Sequence, residues 1–123
     1  MKKELLELLE SLENYVPKLI NASSDMAENI QSGNEGKAFL ILKDYIEGIM
    51  WTVEAIDTIK SLGSQYLTEI ELELLNDKLK CFEEAMLNQD YVLLADILEY
   101  EIKEVLSDYL NTITDFKMRI QDV

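Results

Sequence analysis

Apolar residues recur at steps of three and four along most of the chain, the period of a helix that buries one face. From about residue 3 to residue 31, Leu5, Leu8, Leu9, Leu12, Val16, Leu19, Met26 and Ile30 form such a stripe. Pro17 lies inside it. A proline removes one backbone hydrogen bond and presses on the carbonyl four residues back, so a kink near Pro17 is expected. The stripe keeps its phase across Pro17, which predicts one bent helix, with Ser23 and Ser24 marking the region where it could break. After the turn "SGNEGK", where Gly33 suits a left-handed position and Asn34 an N-cap, a second helix is predicted over about 35–62. Its inward residues are Ala38, Leu42, Tyr45, Ile49, Val53 and Ile56.

The next turn, "LGSQYLTEIE", contains Thr68 three residues before Glu71, flanked by Leu67 and Leu72. That spacing reads as a capping box with a hydrophobic staple, opening a third helix over about 69–87. Ile70, Leu74, Leu75, Phe82, Ala85 and Met86 form its stripe. In "LNQD", Asn88 or Asp90 caps a last helix over about 90–121, which carries Tyr91, Leu94, Leu98, Ile102, Val105, Tyr109, Ile113 and Phe116 inward. Short turns make successive helices antiparallel neighbours. The expected fold is all-α, an antiparallel up-down four-helix bundle in one domain spanning 1–123, its first helix kinked near Pro17.

Some apolar residues fall off these stripes. Leu93, Ile97 and Tyr100 recur on the last helix roughly opposite its core face, and Leu40, Trp51, Ala55 and Leu62 fall away from the core direction of the second. Gly48, near Trp51, leaves room for a close backbone approach. A helix apolar on opposite sides has a second surface to bury, so Leu40, Trp51, Leu93, Ile97 and Tyr100 are the candidate partner-binding residues. The occupant is expected to be a second copy in a homodimer, or another protein partner. Broad core arcs are the plain alternative, because a helix in a bundle touches two neighbours.

The segments "FLILKDYIE" (Phe39–Glu47) and "YVLLADILE" (Tyr91–Glu99) align without gaps, as a duplicated hairpin or simple helical periodicity would give. The alignment places Asp44 with Glu47 and Asp96 with Glu99, each pair on one helix face. Facing each other, the pairs would be an oxygen-only site for magnesium, calcium or manganese. The chain has no histidine, which carboxylate bundle sites combine with glutamate, and Glu99 has Lys103 one turn on for a surface ion pair. The four acids therefore read as solvated, and no metal or other cofactor is expected. No nucleophile–base arrangement or glycine-rich phosphate loop is present, so the sequence points to a non-enzymatic protein.

Composition sharpens the partner. Against 11 basic residues stand 25 acidic ones, a net charge of −14. Such a surface repels phosphate backbones and anionic lipid heads, which argues against nucleic acid and membrane and favours a basic protein surface. No apolar run is long enough for a membrane span and acids punctuate "MKKELLELLESLENY", so a cytoplasmic protein is expected. Cys81, the only cysteine, is expected to pack as a small buried hydrophobe.

The segments "NQDYVLLADILEYEI" and "DYIEGIMW" resemble a family of short, acidic, functionally uncharacterised helical proteins of Gram-positive bacteria. That resemblance implies the same fold over the full length and transfers no site residue. In size and shape the chain is also similar to flagellar-export chaperones, helical bundles that wrap an aggregation-prone helix of a secreted subunit. Such a chaperone is the alternative function that this second resemblance implies.

Overall fold

The computed structural model describes residues 2–122, which are helical apart from short turns and contain no strand. Helix α1 (Lys2–Gln31) runs unbroken through Pro17. It also runs unbroken through Ser23, whose hydroxyl donates to the carbonyl of Leu19 at 3.0 Å. That back-bond satisfies a buried hydroxyl inside a helix, so the serines need no break. The face formed by Leu5, Leu9, Leu12, Val16, Leu19, Met26 and Ile30 is buried, as the stripe predicts.

The α1 terminus is a Schellman motif. Gly33 takes φ +80°, its amide bonds Ile30 O at 3.1 Å, and the Asn34 amide bonds Asn29 O at 2.7 Å. Asn34 precedes the next helix as expected, but its side chain makes no capping bond. The predicted second helix is interrupted. It forms α2 (Glu35–Leu40) and α3 (Leu42–Leu62), separated at Ile41, whose amide reaches Ala38 O rather than the carbonyl four back. Leu40 and Ile41 are both exposed there, so no packed face holds the helix in register.

The predicted capping box does not form. Thr68 Oγ1 bonds the Glu69 carboxylate, and α4 (Leu72–Leu87) starts three residues later than predicted, with Glu71 in the cap position and no side-chain cap. Burial decides this local contest. Leu67, at φ +51°, and Ile70 both drive into the core from the turn, and Lys60 Nζ ties down their carbonyls at 3.2 and 2.6 Å. Tyr109 donates to the Glu71 carbonyl at 2.9 Å from the last helix. Tertiary bonds thus replace the cap that the sequence offers. On α4 only Leu75, Phe82 and Ala85 are buried, while Leu74 and Cys81 are exposed, contrary to the sequence expectation for both.

The last rod begins with Asp90, whose carboxylate accepts from the Leu93 amide at 3.2 Å, as one of the two predicted caps. It comprises α5 (Tyr91–Asp96), a π-helical turn (Ile97–Ile102) and α6 (Lys103–Gln121). Helix α1 packs against α2, α3, α5, the π turn and α6. Its Glu13 carboxylate accepts from Thr114 at 3.0 Å and from Lys117 at 2.6 Å. Helix α4 packs against α5 and the π turn of the last rod, where Lys78 meets Glu101 at 2.9 Å. Close packing does not extend to the α3–α4 pair. The aligned aromatics Phe39 and Tyr91 meet with ring centroids 6.0 Å apart, joining α2 to the start of α5.

Candidate functional site

The loose approach of α3 and α4 leaves an apolar groove of about 410 Å³. Leu42, Ile46 and Met50 line it from α3, and Leu79, Phe82, Glu83 and Met86 from α4. Leu42, Ile46 and Met50 stand one helical turn apart, so a single ridge of α3 forms one wall. The chain on either side continues the apolar character, since Leu40 and Ile41 precede Leu42 and Leu87 follows Met86, all three exposed. The spacing of Leu42, Ile46 and Met50 was visible in the sequence. Its meaning was not, because a residue facing a neighbouring helix and one facing an open groove share the same period.

Of the residues predicted to bind a partner, Leu40 and Tyr100 are open, at 82% and 64% exposure, and Leu93 and Trp51 are partly so. Ile97 is not. It is 1% exposed and belongs to the core. The physical reason is the second neighbour of the last rod: Glu101, one turn beyond Ile97, is held by Lys78 of α4, so this flank faces α4. The outer face proposed from Leu93, Ile97 and Tyr100 therefore loses its middle residue. Ala55, also assigned outward by spacing, is buried as well.

The carboxylate pairs are not brought together, and among the described residues no group of three or more acids, cysteines or histidines is placed to hold a metal ion. Glu99 pairs with Lys103 at 3.0 Å, the predicted surface ion pair, and Asp96 is exposed. Asp44 and Glu47 have a different setting. They line a cleft of about 660 Å³ between α1 and α3, together with Ser11, Asn14, Tyr15, Gly48 and Trp51. Tyr15 meets Trp51 nearly edge-on, with centroids 5.4 Å apart and planes at 83°.

Gly48 makes that aromatic corner possible. A Cβ at this position would collide with the Tyr15 hydroxyl and stand 2.9 Å from Leu19 Cδ2. Gly48→Ala is therefore expected to displace Tyr15 from Trp51. Alanine also favours the helix by about 1 kcal/mol, which offsets the cost of moving a side-chain tip. The expected outcome is a shifted Trp51 emission with little change in melting temperature. An unchanged emission spectrum would show that the ring pair does not depend on Gly48.

Tyr45 occupies the buried side of α3, its hydroxyl 2.5 Å from Ser23 Oγ. Burial pushes its pKa up to about 12. This group is structural: it faces the core, away from both the groove and the cleft.

A family model described as a domain of unknown function, DUF8042, matches residues 7–112. No curated protein and no solved structure matches the chain.

Proposed function

The chain belongs to the DUF8042 family, and we propose that it is a non-enzymatic protein-binding module that seats an amphipathic helix of a partner in the α3–α4 groove. The rods are read as an antiparallel up-down four-helix bundle in which the α3–α4 edge is left open for that helix. One observation carries the reading: the apolar wall of Leu42, Ile46 and Met50 faces Leu79, Phe82 and Met86 without close packing of their helices. Met50 on this wall is 56% exposed, and Leu40 and Leu87 beside the groove are 82% and 77% exposed, so the apolar lining opens onto surface that a helix can cover.

Charge selects the occupant. A net charge of −14 makes a second copy a repelling partner and a basic-flanked helix an attractive one. With Ile97 in the core, the face that suggested a homodimer is no longer continuous. An export-type chaperone is the special case in which the bound helix comes from a secreted subunit.

A fluorescent peptide with a leucine face and lysine flanks tests this by anisotropy at about 0.15 M salt, beside a scrambled peptide of equal charge. The amphipathic peptide is expected to bind more tightly than the scramble. Met50→Asp is expected to weaken it about tenfold, although the added acid should strengthen any purely electrostatic attraction. Met50 is 56% exposed, so the variant stays folded. Equal binding of both peptides, unaffected by Met50→Asp, would overturn the groove. A dilution series by light scattering covers the other occupant: a dimer abolished by Met50→Asp would put a second copy there.

A further inference from the structure

On α3 the groove and the cleft lie on opposite flanks of the buried row Tyr45, Ile49, Thr52 and Ile56, since helical steps of about 100° set Asp44, Glu47 and Trp51 well away from Leu42, Ile46 and Met50. We infer that the cleft between α1 and α3 is a binding site for a guanidinium group, held by the carboxylates of Asp44 and Glu47 against the aromatic corner of Trp51 and Tyr15. The site stands on its own observations and does not depend on what fills the groove.

The lining determines the class of ligand. Asp44 and Glu47 line the cleft, and neither makes an ion pair among the described residues. Their exposed carboxylates give the cleft a negative lining that a cation complements. A metal ion is a poor fit, because hard cations take six or more oxygen ligands and, besides the two carboxylates, the lining offers one amide, of Asn14, and two hydroxyls, of Ser11 and Tyr15. The Ser11 hydroxyl is turned back to the Glu7 carbonyl at 3.0 Å.

The aromatic residues select an organic cation. Cations sit over tryptophan and tyrosine rings, and a guanidinium adds a flat face for stacking and a fork of donors for carboxylates. The near-perpendicular Tyr15–Trp51 pair forms a corner rather than a closed stack, and Trp51 remains partly exposed within it. Gly48 forms the floor between the acids and the rings, where any side chain would push Tyr15 out. A neutral aromatic ligand would use the rings but leave the acids without a partner.

Trp51 is the only tryptophan, so its fluorescence reports this cleft alone. Titration with arginine amide at matched ionic strength is expected to give a saturable change with a dissociation constant on the order of millimolar. Citrulline amide, of the same shape and with the same α-ammonium but without the guanidinium charge, is expected to give none. The double variant Asp44→Asn, Glu47→Gln replaces two exposed carboxylates, so it keeps the fold and is expected to bind arginine amide about tenfold more weakly. An arginine-containing tripeptide that binds more tightly than arginine amide assigns the guanidinium to a protein partner. Tighter binding of the free compound assigns it to a small molecule. A response that does not saturate, is matched by citrulline amide, or survives unchanged in the double variant overturns the site.

Discussion

Ile97→Asp is expected to abolish the folded state, while Tyr100→Asp, three residues away, leaves it intact. Ile97 is 1% exposed on the flank of the last rod that faces α4. Removing its side chain forfeits roughly 2–5 kcal/mol of packing, as large-to-small core substitutions do. The introduced carboxylate then has to be desolvated in an apolar surround, at a further cost of several kcal/mol. Together these approach the whole stability of an ordinary domain, roughly 5–15 kcal/mol. Circular dichroism should show a chain without a cooperative thermal transition. The conservative Ile97→Val should remain folded and lose about 1 kcal/mol. A cooperative melt for Ile97→Asp close to that of the unsubstituted protein would place Ile97 on a surface after all, and would restore the outer face of the last helix as a candidate interface.

This position also shows where the sequence stops being informative. The long buried stripes of α1 and the last rod are legible because each repeats over many turns. Leu5, Leu9, Leu12, Val16 and Leu19 bury as their spacing predicts, and so do Leu94, Leu98, Ile102, Tyr109 and Ile113. Periodicity reports direction around one axis and says nothing of how many neighbours a helix has. The last rod is covered by α1 on one side and α4 on another, so a residue at the edge of the α1-facing arc is still inside. The π turn over Ile97–Ile102 widens the helix where both neighbours meet it, and no residue type announces such a turn.

The turns divide by what competes with them. Gly33 and Asp90 act as predicted because their bonds are local. The Thr68–Glu71 cap fails because Leu67 and Ile70 gain more by burial, and distant donors, Lys60 and Tyr109, serve the carbonyls of that turn. The candidate sites follow the same division. Trp51, Asp44 and Glu47 could be picked out individually as surface features of one helix. That they share a cleft depends on Tyr15, which comes from a helix far away in sequence and meets Trp51 only through packing. The groove was hidden for the converse reason: its emptiness is a property of the spacing between α3 and α4, which neither helix encodes alone.

Tyr45 should make the fold sensitive to alkali in a way that one substitution removes. Its hydroxyl reaches Ser23 Oγ at 2.5 Å, and Ser23 donates its own proton to Leu19 O at 3.0 Å, so Tyr45 is the donor to Ser23. Burial holds its pKa at about 12 against the model-compound value of 10.0. A phenol whose folded pKa is raised keeps its proton in the native state after the unfolded chain has lost it. The unfolded state is then favoured as pH rises, so the stability contribution is complete below about pH 10 and is lost between there and about pH 12. Two pH units correspond to a loss of about 2.7 kcal/mol. Tyr45→Phe removes one buried hydrogen bond but leaves Ser23 satisfied by Leu19, at a cost of about 1 kcal/mol near neutrality. The unsubstituted protein should therefore be the more stable at pH 8, and the phenylalanine variant the more stable near pH 12. Urea unfolding of both proteins across that range isolates Tyr45, because Tyr109 and the lysines titrate alike in each. A stability difference that stays constant from pH 8 to 12 would mean that Tyr45 ionises in the folded protein as freely as in the unfolded chain.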